Sequence, residues 1–496
     1  MTSKARNNPA AVLERLIFNN RPAVIVICVL ISAFLFWNAA QVRPETSFEK
    51  MIPLKHPYIE KMLEHRNDLA NLGNSVRISV ESVDGDIFNK EYMETLRQIS
   101  DEAFYIAGVD RSGLRSLWSP NVRWTEVTEQ GFAGGEVIPQ TYDGSDESLE
   151  ELRNNILKSG QVGRLVGNNF KSSIVEIPLL ETFPDPDDQS KLLKLDYQAF
   201  SHRLEENIRD KYQLQNPNVK IHIVGFAKKV GDLIDGLFNV ALFFMVAIGI
   251  TFALLFWFTK CIKSTIAVLF ATLVAVGWQL GLLHLMGFGL DPYSMLVPFL
   301  VFAIGISHGV QKINGIAMAS NTALDSLTAA RMAFRQLFVP GLVALSSDAV
   351  GFITLLLIDI GVIRELAIGA SVGVAVIILT NLIFLPVLIS YVGISKKAVQ
   401  VSRDNAARDN PLWRLISNFA SPKVAPVSVT IAICALVFGV WYGQNLKIGD
   451  LDQGAPELHA DSRYNLDNDF VISNYSTSSD VLVVMVKTPT EGCSSY

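Results

Sequence analysis

The chain has 496 residues, of which 50% are apolar and 18% charged, a more hydrophobic balance than a soluble protein of this length needs. Seven stretches of about 20 residues or more carry almost no charge, enough to cross about 30 Å of hydrocarbon at 1.5 Å per residue, and a soluble multidomain enzyme is thereby excluded. The net charge of -6 gives no reason to expect nucleic acid as a partner.

In chain order, residues 1–21 predict a short amphipathic helix and 22–41 the first membrane span. That span is too long for a signal peptide, and its end, Trp37 to Arg43, is a poor cleavage site. Segment 42–235 is polar and reads as an α+β domain with helices on one face of a mixed sheet. Its predicted strands are Val76–Val80, Ile174–Ile177 and Val219–Val224, and its helices Asn89–Ile106, Ser145–Lys158 and Leu192–Tyr212. Residues 236–391 hold five spans, 236–258, 264–287, 292–316, 338–358 and 361–391. Between the third and fourth of these, 321–337 predicts an amphipathic helix along the inner membrane face, with Leu324, Leu327, Ala330, Phe334 and Leu337 on its apolar side. A linker, 392–423, leads to a seventh span, 424–444, and a polar segment, 445–496. The fold class is thus a helical polytopic membrane protein with an α+β extracytoplasmic domain.

Lysine and arginine orient the spans. Lys4, Arg6, Arg15 and Arg21 precede span 1, Lys260 and Lys263 follow span 2, Lys312, Arg331 and Arg335 follow span 4, and Lys396 to Lys423 follow span 6. The opposite connections, 288–291 and 359–360, have none. This places the N-terminus in the cytoplasm and 42–235 outside. Segment 42–235 has no cysteine, which suits a bacterial inner membrane facing a periplasm.

Residues 12–80 and 411–486 repeat one order: a short amphipathic helix, a span, a polar exit and a strand, the second strand being Val481–Val486. The seventh span then opens a second copy, and 445–496 is the start of a second periplasmic domain, so that 496 reads as a fragment's length. One span, an external domain, five clustered spans and the cycle again resembles the resistance-nodulation-division (RND) superfamily of proton-driven permeases. Glu147 to Arg153, Gly163 to Gly167 and Lys171 to Val175 look like its MMPL-type branch, and Leu345 to Phe352 is similar to the span-5 signature shared with sterol-sensing domains.

Ionisable groups inside a membrane are functional candidates by default. His308 in span 4 and Asp348 in span 5 fall at heights differing by only about 3 Å, which makes a proton-relaying His–Asp pair plausible, with Ser307 and Ser347 beside it. The resemblance implies an aspartate in the middle of span 4, where Gly305-Ile306 is followed here by Ser307-His308. Gly305-x-x-x-Gly309 and Gly369-x-x-x-Gly373 have the spacing of close helix approach. His284 reads as interfacial, and Asp359, Arg364 and Glu365 as a solvated charge cluster. Phosphate-loop, Cys-x-x-Cys and His-Glu-x-x-His signatures are absent from the sequence.

The expectation is a secondary active transporter rather than an enzyme, exporting hydrophobic or lipid-like molecules on the proton gradient, with no cofactor or metal. Membrane lipids, a periplasmic protein and further copies of the chain are the expected partners. The alternative is a sterol-sensing-like regulatory protein without vectorial transport.

Overall fold

The computed structural model describes residues 9–43, 48–65, 74–129, 131–185, 188, 190–291, 293–407, 411–447, 454–476 and 484. The chain forms two compact units, Met1–Leu54 with Leu237–Gly449, and Lys55–Gly236 with Asp450–Tyr496. In chain order the elements begin with α1 (Pro9–Asn19), α2 (Arg21–Ala39), α3 (Phe48–Met51) and α4 (Pro57–Glu64). There follow β1 (Ser75–Ser82), α5 (Lys90–Tyr105), β2 (Arg123–Thr128), β3 (Gly131–Glu136), α6 (Asp146–Ser159), β4 (Ser172–Pro178), β5 (Thr182–Pro184), β6 (Leu192–Lys194), α7 (Tyr197–Leu204), α8 (Lys211–Gln215) and β7 (Val219–Gly225). Next come α9 (Phe226–Thr259), α10 (Ile262–Leu285), α11 (Val297–Ala319), α12 (Ser326–Ile353), α13 (Gly361–Ile377) and α14 (Leu385–Val392). The last are α15 (Lys396–Ala407), α16 (Pro411–Asn418), α17 (Ala425–Gly443) and α18 (Arg463–Asn474).

In the α+β unit the three predicted strands pair in the order β4-β1-β7. Both pairings are antiparallel, with Ile78 opposite Val175 on one side and Ile223 on the other. The expected mixed sheet is therefore corrected to an antiparallel one among the described strands. Val76, Ile78, Val80, Ile177 and Ile223 are wholly buried, so the sheet supplies much of the core. Helix α5 opens where the side chain of Asn89 accepts from Tyr92 N–H, and it buries Tyr92, Met93, Leu96, Ile99 and Ala103, a helical stripe. Helix α6 opens on Ser145, whose hydroxyl accepts from Ser148 N–H. The expected helix Leu192–Tyr212 is shorter at its start. Leu192–Lys194 is a strand paired with Thr182–Pro184, and Asp196 caps α7 by accepting from Ala199 N–H; the cap, rather than the run of apolar residues, sets the boundary.

Residues 454–476, which the repeat assigns to a second domain, lie in the same compact unit as 74–236. Asp467 on α18 is the anchor. It accepts from Arg209 (2.6 Å), His222 Nδ1 (3.0 Å) and the Ile223 N–H (3.0 Å), while His222 Nε2 meets Glu81 at 2.8 Å. Phe470 stacks on the His222 ring at 3.8 Å. Tyr475 bonds Ser79 and Ser172 on the neighbouring strands at 3.0 and 2.8 Å. The repeat's expected strand 481–486 lies outside the described residues, apart from Val484.

Among the described residues the seven predicted spans are seven helices of membrane-crossing length and composition: Arg21–Ala39, Phe226–Thr259, whose first turns to Gly236 belong to the α+β unit, Ile262–Leu285, Ser294–Ala319, Ser326–Leu357, Gly361–Val392 and Ala425–Gly443. The amphipathic helix expected at 321–337 is corrected: from Ser326 it is the first part of α12, continuous through Pro340. Its apolar stripe faces the bundle instead of lying along the membrane, with Ala329, Ala330, Ala333 and Phe334 buried and Phe18 of α1 edge-on to Phe334 at 5.6 Å. Leu324 lies outside the helix and is fully exposed.

The tightest helix contact involves glycines that the sequence reading passed over. A Cβ at Gly277 would come within 2.4 Å of the Phe36 ring, and one at Gly281 within 2.2 Å of the Leu35 carbonyl oxygen. Trp278 between them donates to Ser32 at 2.9 Å. We expect Gly281→Val to force α2 away from α10 at a cost of about 1–3 kcal/mol, read as a lowered Tm in detergent. Gly249→Val, at a position open on all sides, should leave Tm unchanged; equal losses in the two variants would contradict this packing.

Candidate functional site

Among the four residues predicted to relay protons, only His308 is buried; Ser307, Ser347 and Asp348 are exposed on α11 and α12. His308 and Asp348 are within electrostatic reach of one another but share no hydrogen bond or ion pair, and His308 Nδ1 has no hydrogen-bond partner. The expected pair is thus not in contact in this conformation. His284 stands apart, beside Arg43, Gly287 and Phe288 on a cavity of about 520 Å³.

One turn from His308, at Gly305, a set of polar side chains begins that charge-based reading overlooks. Between α13 and α14 the chain runs through a π-helical segment, Ile378–Phe384, a distortion frequently found at functional sites. Asn381 in that segment is wholly buried and donates to the Gly305 carbonyl at 2.5 Å and to Thr272 Oγ1 at 3.4 Å. Gly305 has no side chain to obstruct this approach, since a Cβ there would lie 3.1 Å from Asn381 Nδ2 and 2.7 Å from Thr272. Asn381 Oδ1 has no partner, and neither amide atom of the wholly buried Gln279 on α10 has one. The only sequence signal for these residues is an amide inside an apolar span.

Lys312 also changes place. The sequence reading counts it with the inner loop, yet it lies inside α11, four residues beyond His308 on the same face, and is 3% exposed. Its Nζ donates to the Leu337 carbonyl at 2.5 Å. Leu337 lies three residues before Pro340, whose missing N–H leaves the Gln336 carbonyl without its helical donor, so Lys312 meets the carbonyl next to the one the proline frees. A Cβ at Gly341 would stand 3.0 Å from the same amine. Lys312→Met should cost about 1–3 kcal/mol through loss of this charge-assisted hydrogen bond. The Tm in detergent checks this; a variant with unchanged Tm would show that the hydrogen bond contributes nothing.

The ion pairs described in this unit, which do not include Lys312 or Asp348, fall at the two ends of the bundle. At one end Glu14 of α1, wholly buried, pairs with Arg331 (3.3 Å) and Arg335 (2.7 Å) of α12, and Arg21 donates to Ser390 at 3.1 Å. At the other end Leu290 N–H donates to the Arg43 carbonyl at 3.0 Å. Arg364 pairs there with Asp359 (2.7 Å), as the expected cluster suggests, whereas Glu365 pairs with Lys50 (2.9 Å).

No protein-family model matches the chain. A protein of Methanocaldococcus jannaschii named "Putative membrane protein MJ1562" is 22% identical over 376 residues, 74% of this chain and 89% of that protein. With seven helices of membrane-crossing length among the described residues and this likeness, the chain is a multi-pass membrane protein.

Proposed function

We propose that the chain is a proton-driven transporter of the RND type, close to the MMPL branch, that exports hydrophobic or lipid-like molecules from a bacterial inner membrane. The observation that carries this reading is His308: an ionisable side chain buried midway along a membrane helix, with one ring nitrogen left without a partner. Such a group is costly to keep in a bilayer and is retained where protons or ions pass. Asp348, within electrostatic reach, is the group that would steady the imidazolium once the helices bring the two together. The span order and the motifs at Glu147–Arg153 and Leu345–Phe352 support the family. The gathering of Arg21, Arg331 and Arg335 at one end of the bundle supports a cytoplasmic N-terminus.

The test is transport by the full-length protein, purified and reconstituted in proteoliposomes, of a fluorescent hydrophobic dye or labelled lipid, driven by an imposed pH gradient. Gradient-dependent movement supports the proposal. Movement that survives both His308→Ala and Asp348→Asn would defeat the relay, and no gradient-dependent movement of any substrate would favour a lipid-sensing protein.

A further inference from the structure

We infer that a file of bound water enters the bundle along α10 and ends on His308, with Gln279 and Asn381 as the side chains that hold it. Four buried polar atoms lack partners here: Gln279 Oε1 and Nε2, Asn381 Oδ1 and His308 Nδ1. Their side chains are all at least nine-tenths buried. Native interiors leave few such atoms unsatisfied, and ordered water is the usual partner where protein supplies none.

Asn381 touches both Gly305 and Thr272, and Gly305 lies one turn from His308 on α11. Gln279 lies two turns from Thr272 on the same face of α10, about 10 Å along the axis, a separation that about three of the proposed waters would span at hydrogen-bonding distance. Opposite Gln279 stand Gly369 and Gly373, where a Cβ would come within 4.0 and 3.2 Å of its side chain. The same glycines make room for Val301 and Leu283, which a Cβ at Gly373 and Gly369 would meet at 2.3 and 3.4 Å, so α13 approaches α10 closely here without giving Gln279 a polar partner.

The donor set selects water over a metal ion. It combines an N–H donor, two carbonyl oxygens and an imidazole nitrogen, whereas a hard cation calls for oxygen ligands throughout. Water both donates and accepts, so it satisfies all four atoms. A proton hopping along the file would bind at Nδ1 to give imidazolium, which returns to neutral imidazole by giving up one proton at Nε2. That use rests on the transporter proposed above; the hydration itself does not.

Hydroxyl-radical footprinting of the full chain in lipid nanodiscs tests the inference, because X-ray pulses generate radicals from bound as well as bulk water. After correction for intrinsic reactivity, oxidation of His308 should exceed that of Phe302, its 5%-exposed neighbour on the same helix, several-fold. Gln279→Leu and Asn381→Leu should each lower it. Gln279→Leu removes no hydrogen bond to protein, so it keeps the comparison open if Asn381→Leu fails to fold. His308 protected like Phe302, or labelling unchanged in Gln279→Leu, would overturn the inference. Labelled His308 without gradient-driven transport would overturn the transporter and leave the water file standing; transport with a protected His308 would do the reverse.

Discussion

Replacing His308 with alanine is expected to lower gradient-driven transport by roughly 10²-fold, the scale on which a single positioned proton-transfer group acts, while the protein stays folded. Among the described residues Nδ1 bonds to no protein group, and the helix around it packs through Val301, Phe302, Ile313 and Ile316. A fall in transport with an unchanged Tm would therefore report chemistry. Asp348→Asn should cost less, because the carboxylate is exposed and touches His308 only at a distance in this conformation. If the aspartate variant were as inactive as the histidine variant, a direct His308–Asp348 contact would have to form during the cycle, which a disulfide between cysteines placed at the two positions would capture.

The second large effect is expected outside the membrane helices. Asp467→Asn should destabilise the α+β unit by about 3–5 kcal/mol, as breaking one partner of a buried ionic cluster does. The substitution keeps the shape of the side chain but removes its charge, leaving Arg209, 1% exposed, to Glu205 at 3.0 Å alone, and His222 to Glu81. Burial alone would raise the Asp467 carboxyl. The hydrogen bond from His222, the Arg209 charge and the Ile223 N–H outweigh it and hold the group below the usual carboxylate range. A depressed pKa in the folded state contributes stability that is present above the unfolded value of about 3.9 and disappears as pH falls through the folded value. The unit should accordingly lose stability below about pH 4, and Asp467→Asn should flatten that dependence. Hydrogen exchange at β7, followed from pH 6 to pH 3, measures both effects; a variant with the same protection and the same pH slope would show that the cluster contributes nothing.

The elements legible in the sequence are those whose signal is local. Runs without charge mark all seven spans, period-two alternation marks β1, β4 and β7, and the caps at Asn89 and Ser145 mark where α5 and α6 begin. His308 is legible for the same reason, as a charge-capable residue in an apolar run. The pairing of distant segments is not. Nothing near Asp467 says that its partners are Arg209 and His222, some 250 residues earlier, because periodicity shows which face of an element is covered and never by what. Lys312 reads as a loop charge because hydropathy cannot distinguish a lysine at a span's edge from one donating to a carbonyl beside a proline. Gln279 and Asn381 escape because amides carry no charge to draw attention, and the π-helical segment that aims Asn381 at Gly305 leaves no mark in composition.

The proposed proton coupling is tested most directly by following pH inside proteoliposomes with a trapped indicator while substrate is supplied. Proton movement should start with substrate, follow the gradient, and vanish in His308→Ala. Substrate moving at the same rate after a protonophore has collapsed the gradient would contradict proton-driven transport.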